Sequence, residues 1–172
     1  SKVTYNVKIT LKVKFKVKFK VNFEVKFKVK IKVKFKVKFK VKFKVKIDGK
    51  DVDFTWDENC DFLTLRSRDG ALQIGDHEID VSYSAPYSSN TLGINKTSSG
   101  IIFTHFEPIH AREAFPCFDE PAFRAPFNLT LRVTEGSTVL SNSLKKSESC
   151  DDLVVFERTE AMPSYQLAFA AG

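Results

Sequence analysis

Apolar and polar residues alternate at almost every position from Val7 to Ile47, as in VKFKVKFKVKFKVKI, where Val, Phe or Ile has one parity and Lys the other. Successive side chains of a β-strand point to opposite faces, so this two-residue period predicts strands with one apolar and one cationic face. A strand usually has about 3 to 10 residues, so turns must divide this low-complexity segment. From Leu11 to Ile47, lysines are replaced only at Asn22 and Glu24, where we place turns.

Asp48-Gly49-Lys50 predicts a turn, after which the sequence becomes that of an ordinary globular protein. Short segments with alternating apolar positions follow, and Gly, Pro, Ser, Asn or Asp residues bound each of them. The predicted strands are Val52 to Thr55, Phe62 to Leu65, His77 to Tyr83, Ile101 to Glu107, Phe127 to Thr134, Leu153 to Glu157 and Tyr165 to Ala170.

Serine-rich stretches at 82–99 and 137–149 are interpreted as surface loops, because strand patterns resume directly after each. One helical turn is predicted over residues 110–115, where Pro116 ends it. These features predict an all-β antiparallel sandwich or barrel. We expect one domain over residues 1–172, with low-complexity strands in its first 47 residues and ordinary strands from residue 48 onward.

The formal net charge of +7 is the sum of two opposite halves. Residues 1–50 contain 19 Lys against Glu24 and Asp48, whereas residues 51–172 contain 9 Lys or Arg against 19 Asp or Glu. The lysine face could bind nucleic acid, anionic lipid or an acidic protein, or it could be the solvated face of a sheet. Idealised sequence in place of ordinary strands is a third interpretation. The solvated face is favoured over a nucleic-acid or membrane partner, because the aromatic residues share the buried parity.

The three histidines, His77, His105 and His110, do not have the spacing of a zinc site, which usually places two ligands on one helical face. Neither a GxSxG elbow nor a phosphate loop occurs in the sequence. The sequence therefore predicts neither a metal ligand nor a catalytic residue in this chain. The three cysteines are widely spaced and are expected to be free, partly buried thiols.

No stretch approaches the roughly 20 apolar residues of a membrane helix, and no charged-then-apolar leader opens the chain. The expected compartment is therefore cytoplasmic, although a removed leader would leave the same sequence.

The segment IIFTHFE, residues 101–107, carries the polar groups of greatest interest. Alternation places His105 and Glu107 on one face, beside Ile101 and Phe103, and Pro108 then ends regular strand pairing. A carboxylate in this position could bind a cationic ligand. The alternative is that Glu107 pairs with Arg112 or caps the following turn.

FTHFEPIHAREAFPCFDEPAFRAPFNLTL, residues 103–131, closely resembles the central motif of the N-terminal domain of the aminopeptidase N family of zinc metallopeptidases. YNVKIT, VNFEV, VKIDGKDV, VLSN and MPSYQLAFAAG are also similar to stretches of that domain. Specific motifs lie between residues 100 and 172. Residues 48–99 agree in pattern, and residues 6–47 agree mainly in length and strand character.

The resemblance implies a sandwich or saddle-like domain that precedes a thermolysin-like catalytic domain. That domain would supply the zinc, through an HExxH helix, and a GAMEN-type loop, and neither motif occurs here. The expected cofactor of this chain is therefore none, and the chain alone is expected to be inactive. A non-catalytic interaction module and a cationic binding module are the alternatives.

The resemblance also implies two substrate-binding residues. Glu107 matches the residue that binds the free α-amino group of the peptide, and His105 matches a Gln that lines the pocket for the first side chain. Histidine is bulkier than glutamine and can become cationic, which would oppose an ammonium ligand.

The rest of the motif is expected to be structural. Cys117 is predicted to be a small buried residue without a nucleophilic role. Asp119 and Glu120 are expected to hold Arg112, Arg124 or backbone amides, and three phenylalanines of the motif are expected to pack. The structural residues of the motif are Arg112, Phe115, Pro116, Cys117, Phe118, Asp119, Glu120, Pro121 and Phe123.

Overall fold

The computed structural model describes residues 31–34, 44–57, 59–70, 77–83, 87–88, 90–150 and 152–172. Within these ranges the chain forms short strands and two 3₁₀ turns. The turns predicted at Asn22 and Glu24 lie outside the described residues. The strands are β1 (Ile31–Lys34), β2 (Lys44–Ile47), β3 (Lys50–Asp57), β4 (Phe62–Ser67), β5 (Ile79–Ser82), β6 (Gly93–Lys96), β7 (Ile102–His105), β8 (Arg124–Ala125), β9 (Thr130–Arg132), β10 (Val139–Ser141), β11 (Leu153–Val155), β12 (Met162–Pro163) and β13 (Phe169–Ala171).

The first sheet has five antiparallel strands in the order β1-β4-β3-β2-β5. Its β2–β3 hairpin is closed by Asp48 and Gly49, whose φ angles are 51° and 77°. Two successive positive φ values in a two-residue loop are typical of a type I′ turn, which Asp-Gly favours. The turn predicted from this dipeptide is therefore confirmed.

Alternation determines which side chains of this sheet reach the core. Val45 and Ile47 are 4% and 3% exposed, whereas Lys44 and Lys46 are exposed. Lys46 lies opposite Asp51 on one side and Asp80 on the other. Opposite charges across a strand pair stabilise a solvated sheet face. In strand β2, the burial and pairing thus agree with the solvated-face interpretation.

The second sheet has four antiparallel strands in the order β10-β13-β7-β6. One row across it, Val139, Ala171 and Ile102, lies in a buried cluster with side chains of β9 and β11. A β9–β11 pair and a β8–β12 pair complete the sheets. The all-β antiparallel prediction is confirmed.

The Ser-Asn pair at the end of β10 connects this strand to the chain before β13. Ser141 Oγ donates to the Ala168 carbonyl at 2.8 Å, and Asn142 Nδ2 donates to the Gln166 carbonyl at 3.0 Å. The Ala168 amide donates in turn to Asn142 Oδ1 at 2.7 Å. The side-chain amide of Asn142 therefore substitutes for a peptide group where the ladder ends, which gives the VLSN motif a structural role.

Several predicted boundaries were wrong. The strand predicted to run to Glu107 ends at His105, and the segment predicted from Tyr165 begins instead with the 3₁₀ turn Ser164–Gln166. Strands β6 and β10 lie inside the two stretches that were interpreted as loops. Segments of three or four residues are too short to show a period, and only their tertiary partners make them strands. The helical turn predicted before Pro116 is confirmed as the 3₁₀ turn Ala111–Glu113.

Asp48 also makes the hairpin sensitive to acid. His77 Nδ1 donates to Asp48 Oδ2 at 2.7 Å, and the Glu78 amide donates to Asp48 Oδ1 at 2.8 Å. These hydrogen bonds, with that of His77 the larger effect, hold the pKa of Asp48 below its ordinary value of 3.8. A pKa lowered by folding contributes stability that is present above about pH 4 and is lost as the pH falls through the folded pKa.

We expect the Asp48→Asn variant to lose less unfolding free energy than the wild type between about pH 4 and pH 2. Asn tolerates the positive φ of this position, so the hairpin is retained. The difference should be under about 1 kcal/mol, because the Asp48 side chain is 47% exposed. Urea unfolding at a series of pH values measures it, and superimposable pH profiles would contradict the assignment.

Candidate functional site at the end of strand β7

The end of β7 combines a buried anchor with exposed polar groups. Ile102 and Phe106 are 1% and 2% exposed, whereas His105 and Glu107 are exposed. A turn follows over residues 107–110, in which the His110 amide donates to the Phe106 carbonyl at 2.8 Å. The buried Phe106 ring therefore holds the backbone from which Glu107 extends.

His105 is oriented by the loop before β6. Its Nδ1 lies 3.0 Å from the Thr91 carbonyl oxygen, and its Cα partner in the ladder is Gly93. A carbonyl oxygen only accepts hydrogen bonds, so Nδ1 carries the proton. In the neutral ring, Nε2 is then left as an acceptor. A cationic His105 ring would oppose an ammonium ligand, but the contact with Thr91 does not require the ring to be cationic.

Glu107 has no hydrogen bond or ion pair with another residue in the described part of the chain. The alternative that Glu107 binds Arg112 is wrong, because the Arg112 guanidinium donates its hydrogen bonds to Asp119. Capping of the following turn is not observed either, since the turn of Ala111–Glu113 has no side-chain cap. The Glu107 carboxylate is therefore free to bind a ligand.

The 3₁₀ turn after Glu107 is held from several directions. His110 Nδ1 donates to Glu113 Oε1 at 3.0 Å, and the Tyr83 hydroxyl donates to the Ala114 carbonyl. Burial raises the pKa of Tyr83, so this hydroxyl stays a donor. Phe115, 1% exposed, packs edge-to-face against Phe106 at a centroid distance of 5.7 Å.

Gly93 provides the space for this arrangement. Its φ is +79°, and a Cβ at this position would lie 3.4 Å from Glu113 Cβ. A side chain here would be strained by the backbone and crowded by Glu113. The glycine therefore allows β6 to approach the turn that follows Glu107.

Asp119 is the centre of a buried polar network beneath the site. Its side chain is 1% exposed, and Oδ2 accepts from Arg112 Nε at 2.9 Å and from the Arg112 amide at 3.2 Å. Arg112 also donates through a second guanidinium nitrogen to the Asp119 carbonyl at 3.1 Å. Ser164 Oγ donates to Oδ1 at 2.7 Å. Asp61 lies 3.9 Å from the far side of the guanidinium.

The predicted contact between Asp119 and Arg112 is present, whereas the side-chain contacts predicted for Glu120 and Arg124 are not observed among the described residues. Both residues are exposed, and neither side chain has a partner among the described residues. Sequence reasoning also missed Ser164 and Thr91. Each lies 14 or more residues from the group it binds, so no local pattern indicates the contact.

The remaining motif residues divide by burial. Cys117 is 2% exposed, as predicted, and burial followed by the Asp119 charge raises the pKa of its thiol. Pro116 is buried and Pro121 is exposed. Phe118 is partly buried, and Phe123, 53% exposed, rests against it at 5.5 Å between ring centroids. Cys60 and Cys150 are exposed, whereas partly buried thiols were expected.

Among the described residues, no group of three or more His, Cys, Asp or Glu side chains could hold a metal ion. No described helix is long and apolar enough to cross a membrane.

The peptidase M1 N-terminal domain is the family whose model matches this chain, over residues 1–166. The chain belongs to this family. Aminopeptidase N of Lactobacillus delbrueckii subsp. lactis is 37% identical to it over 135 residues, which cover 73% of the chain and 15% of that protein. Leucyl aminopeptidase of Saccharolobus solfataricus is 35% identical over 132 residues, covering 73% of the chain and 16% of that protein.

This M1 N-terminal domain also resembles solved structures. The structure of yeast LTA4 hydrolase in complex with bestatin matches this chain with a TM-score of 0.69 and 19% sequence identity. The match covers 94% of this chain and 25% of the hydrolase chain. At this identity the likeness shows the fold alone. The chain spans about a sixth of the length of the Lactobacillus and Saccharolobus aminopeptidases.

Proposed function

We propose that this M1 domain anchors peptide substrates in a zinc-dependent aminopeptidase, with Glu107 as the group that binds the free α-amino terminus. The proposal is supported chiefly by the exposure of Glu107 and by its lack of a described partner. Its carboxylate is exposed and unpaired within the described structure, yet its backbone is fixed by the buried Phe106 and the Arg112–Asp119 network.

The chemistry of an aminopeptidase requires such a group, because its substrate carries an ammonium ion next to the scissile bond. A carboxylate supplies negative charge and several acceptor lone pairs together, and hydrogen bonds between ionised partners are stronger than neutral ones. Because the Glu107 oxygens have no described competing donor, they are available to the ammonium group.

His105 is proposed to form the wall of the pocket for the first substrate side chain. Its ring is exposed, and the Thr91 carbonyl holds one nitrogen. The opposite nitrogen, Nε2, then presents an acceptor to a substrate. A ring fixed by a hydrogen bond narrows a pocket at lower entropic cost than a flexible side chain.

Zinc belongs, in this proposal, to a catalytic domain elsewhere in the parent protein, where it would activate the attacking water. We therefore expect the 172-residue chain to release no product from amino-acid anilides, with or without added zinc. Absorbance of the free aniline measures release, and an aminopeptidase of the same family serves as the positive control. Zinc-dependent hydrolysis by the 172-residue chain would show that it carries a catalytic centre of its own.

The anchoring role is tested by substituting Glu107 in the full-length parent and comparing kcat/KM for peptides with a free amino terminus. Glu120→Gln is the matched control. It makes the same change at another exposed glutamate of the motif.

A further inference from the structure

A second carboxylate, that of Glu113, ends the 3₁₀ turn that follows Glu107, and its surroundings are different. The Glu113 side chain is 19% exposed, and its Oε1 accepts a hydrogen bond from His110 Nδ1 at 3.0 Å. The His110 side chain is 21% exposed. Both partners are therefore largely shielded from water, and a shielded pair is weakened less by salt and solvent than a pair on the surface.

The His110–Glu113 pair fastens the segment from which Glu107 extends. The His110 amide donates to the Phe106 carbonyl at 2.8 Å, which encloses Glu107 in a turn. The Glu113 amide donates to the His110 carbonyl at 3.1 Å, so a second turn continues directly from the first. The backbone of His110 thus closes the first turn, while its side chain is held by the second.

Glu113 also lies beside the neighbouring strand. A Cβ placed on Gly93 of β6 would lie 3.4 Å from Glu113 Cβ and 3.5 Å from Glu113 Oε2. Gly93 is in turn the ladder partner of His105, two residues before Glu107. Glu113 therefore joins the turn after Glu107 to the strand that pairs with His105.

We propose that Glu113 is a positioning residue, which holds Glu107 at the place where it binds the substrate amino group. This inference rests on the proposed function, because Glu113 acts only through Glu107. An exposed carboxylate on a loose turn would sample several positions, and fixing one of them on binding would cost conformational entropy. The link from the turn to β6 through Glu113 lowers this cost, since the backbone of Glu107 is fixed before the substrate arrives.

Replacing Glu113 with Ala in the full-length parent is expected to lower kcat/KM for unblocked peptides by about tenfold or more. The variant removes the hydrogen bond to His110 and the carboxylate beside Gly93, while Glu107 is retained. Glu113→Gln keeps an oxygen that accepts from His110 Nδ1, so kcat/KM should stay within about threefold of the wild-type value. A loss in Glu113→Gln as large as that in Glu113→Ala would overturn the proposal. Glu120→Ala is the matched control at an exposed glutamate, and its kinetics should be unchanged.

Two inhibitors distinguish the positioning of Glu107 from a general disturbance of the fold. One is leucine hydroxamate, and the other is the same compound without its α-amino group. The inhibition constant of the amino-free compound divided by that of leucine hydroxamate is the amino ratio, which measures how much the amino group contributes to binding. Glu113→Ala should lower the amino ratio by about tenfold and leave inhibition by the amino-free compound unchanged. Equal weakening of both inhibitors would overturn the proposal.

The double variant Glu107→Gln/Glu113→Ala tests whether Glu113 acts through Glu107. If it does, the amino ratio of the double variant should equal that of Glu107→Gln alone, because the effects of coupled residues do not add. Two losses that multiply would show that Glu113 acts independently of Glu107, and they would overturn the positioning role.

The amino ratio also separates this inference from the proposed function. A lowered ratio in Glu107→Gln with a wild-type ratio in Glu113→Ala would retain the amino anchor and overturn the positioning role. A wild-type ratio in Glu107→Gln would overturn both.

A further variant covers the case in which Glu113→Ala does not fold. His110→Ala breaks the same hydrogen bond from the other partner and leaves the Glu113 side chain intact. It should lower the amino ratio to a similar extent, and a wild-type ratio in His110→Ala would count against the proposal.

Discussion

Replacing Asp119 with Ala is expected to lower the free energy of unfolding by about 3–5 kcal/mol, as for other buried ion pairs that lose one partner. The Asp119 and Arg112 side chains are only 1% and 13% exposed, so the variant leaves a guanidinium largely out of water without its carboxylate. The Arg112 amide and the Ser164 hydroxyl would lose their acceptor as well. Urea denaturation measures the change.

The matched control is Asp53→Ala. Asp53 also pairs with an arginine, Arg68, at 2.8 Å, but the two side chains are 66% and 58% exposed. A solvated pair of this kind contributes under about 1 kcal/mol. Similar losses in the two variants would show that the buried network is not a special source of stability. If Asp119→Ala does not fold, Asp119→Asn keeps the shape of the side chain and provides a milder version of the same comparison.

Replacing Glu107 with Gln in the full-length parent is expected to reduce kcat/KM for free peptides by about 10- to 150-fold. This range corresponds to the loss of one charge-assisted hydrogen bond of about 1.5–3 kcal/mol. Glutamine retains the size and one acceptor of glutamate but removes the charge that attracts the ammonium group. Steady-state kinetics with a set of unblocked peptides measure the effect.

The Glu107→Gln substitution should raise KM and leave kcat nearly unchanged if the carboxylate binds the substrate equally strongly in the ground state and in the transition state. Thermal melting should be nearly unchanged, because the side chain is exposed and has no described partner. Glu120→Gln should leave both measurements unchanged. If the Glu107→Gln variant had wild-type kinetics, Glu107 would not be the group that binds the substrate amino terminus.

Local features of the fold were predictable where the interacting residues are neighbours in sequence. The Asp48-Gly49 turn follows from the backbone preferences of two residues, and the burial of Val45 and Ile47 follows from alternation. The helical turn before Pro116 was predictable for the same reason. Strands β6 and β10 were not, because they are strands only through pairing with β7 and β13.

The candidate site was predictable in part. The motif around Pro116 indicated that Asp119 and Glu120 would bind Arg112, Arg124 or backbone amides. Alternation placed His105 and Glu107 on one face. The sequence could not indicate that Thr91 holds the His105 ring or that Ser164 completes the Asp119 network. It also could not distinguish Asp119, which is buried, from the neighbouring Glu120, which is exposed.

By itself, the sequence determined the strand character of the chain, the Asp-Gly hairpin and the motif that marks the M1 family, since each depends on residue types within a short window. Only the tertiary structure decided that Glu107 lacks a described partner while Arg112 belongs to Asp119. It also decided that the Glu113 side chain lies beside Gly93 of strand β6. The physical reason is that exposure and pairing depend on what packs around a residue, and chain segments far away in sequence supply those neighbours.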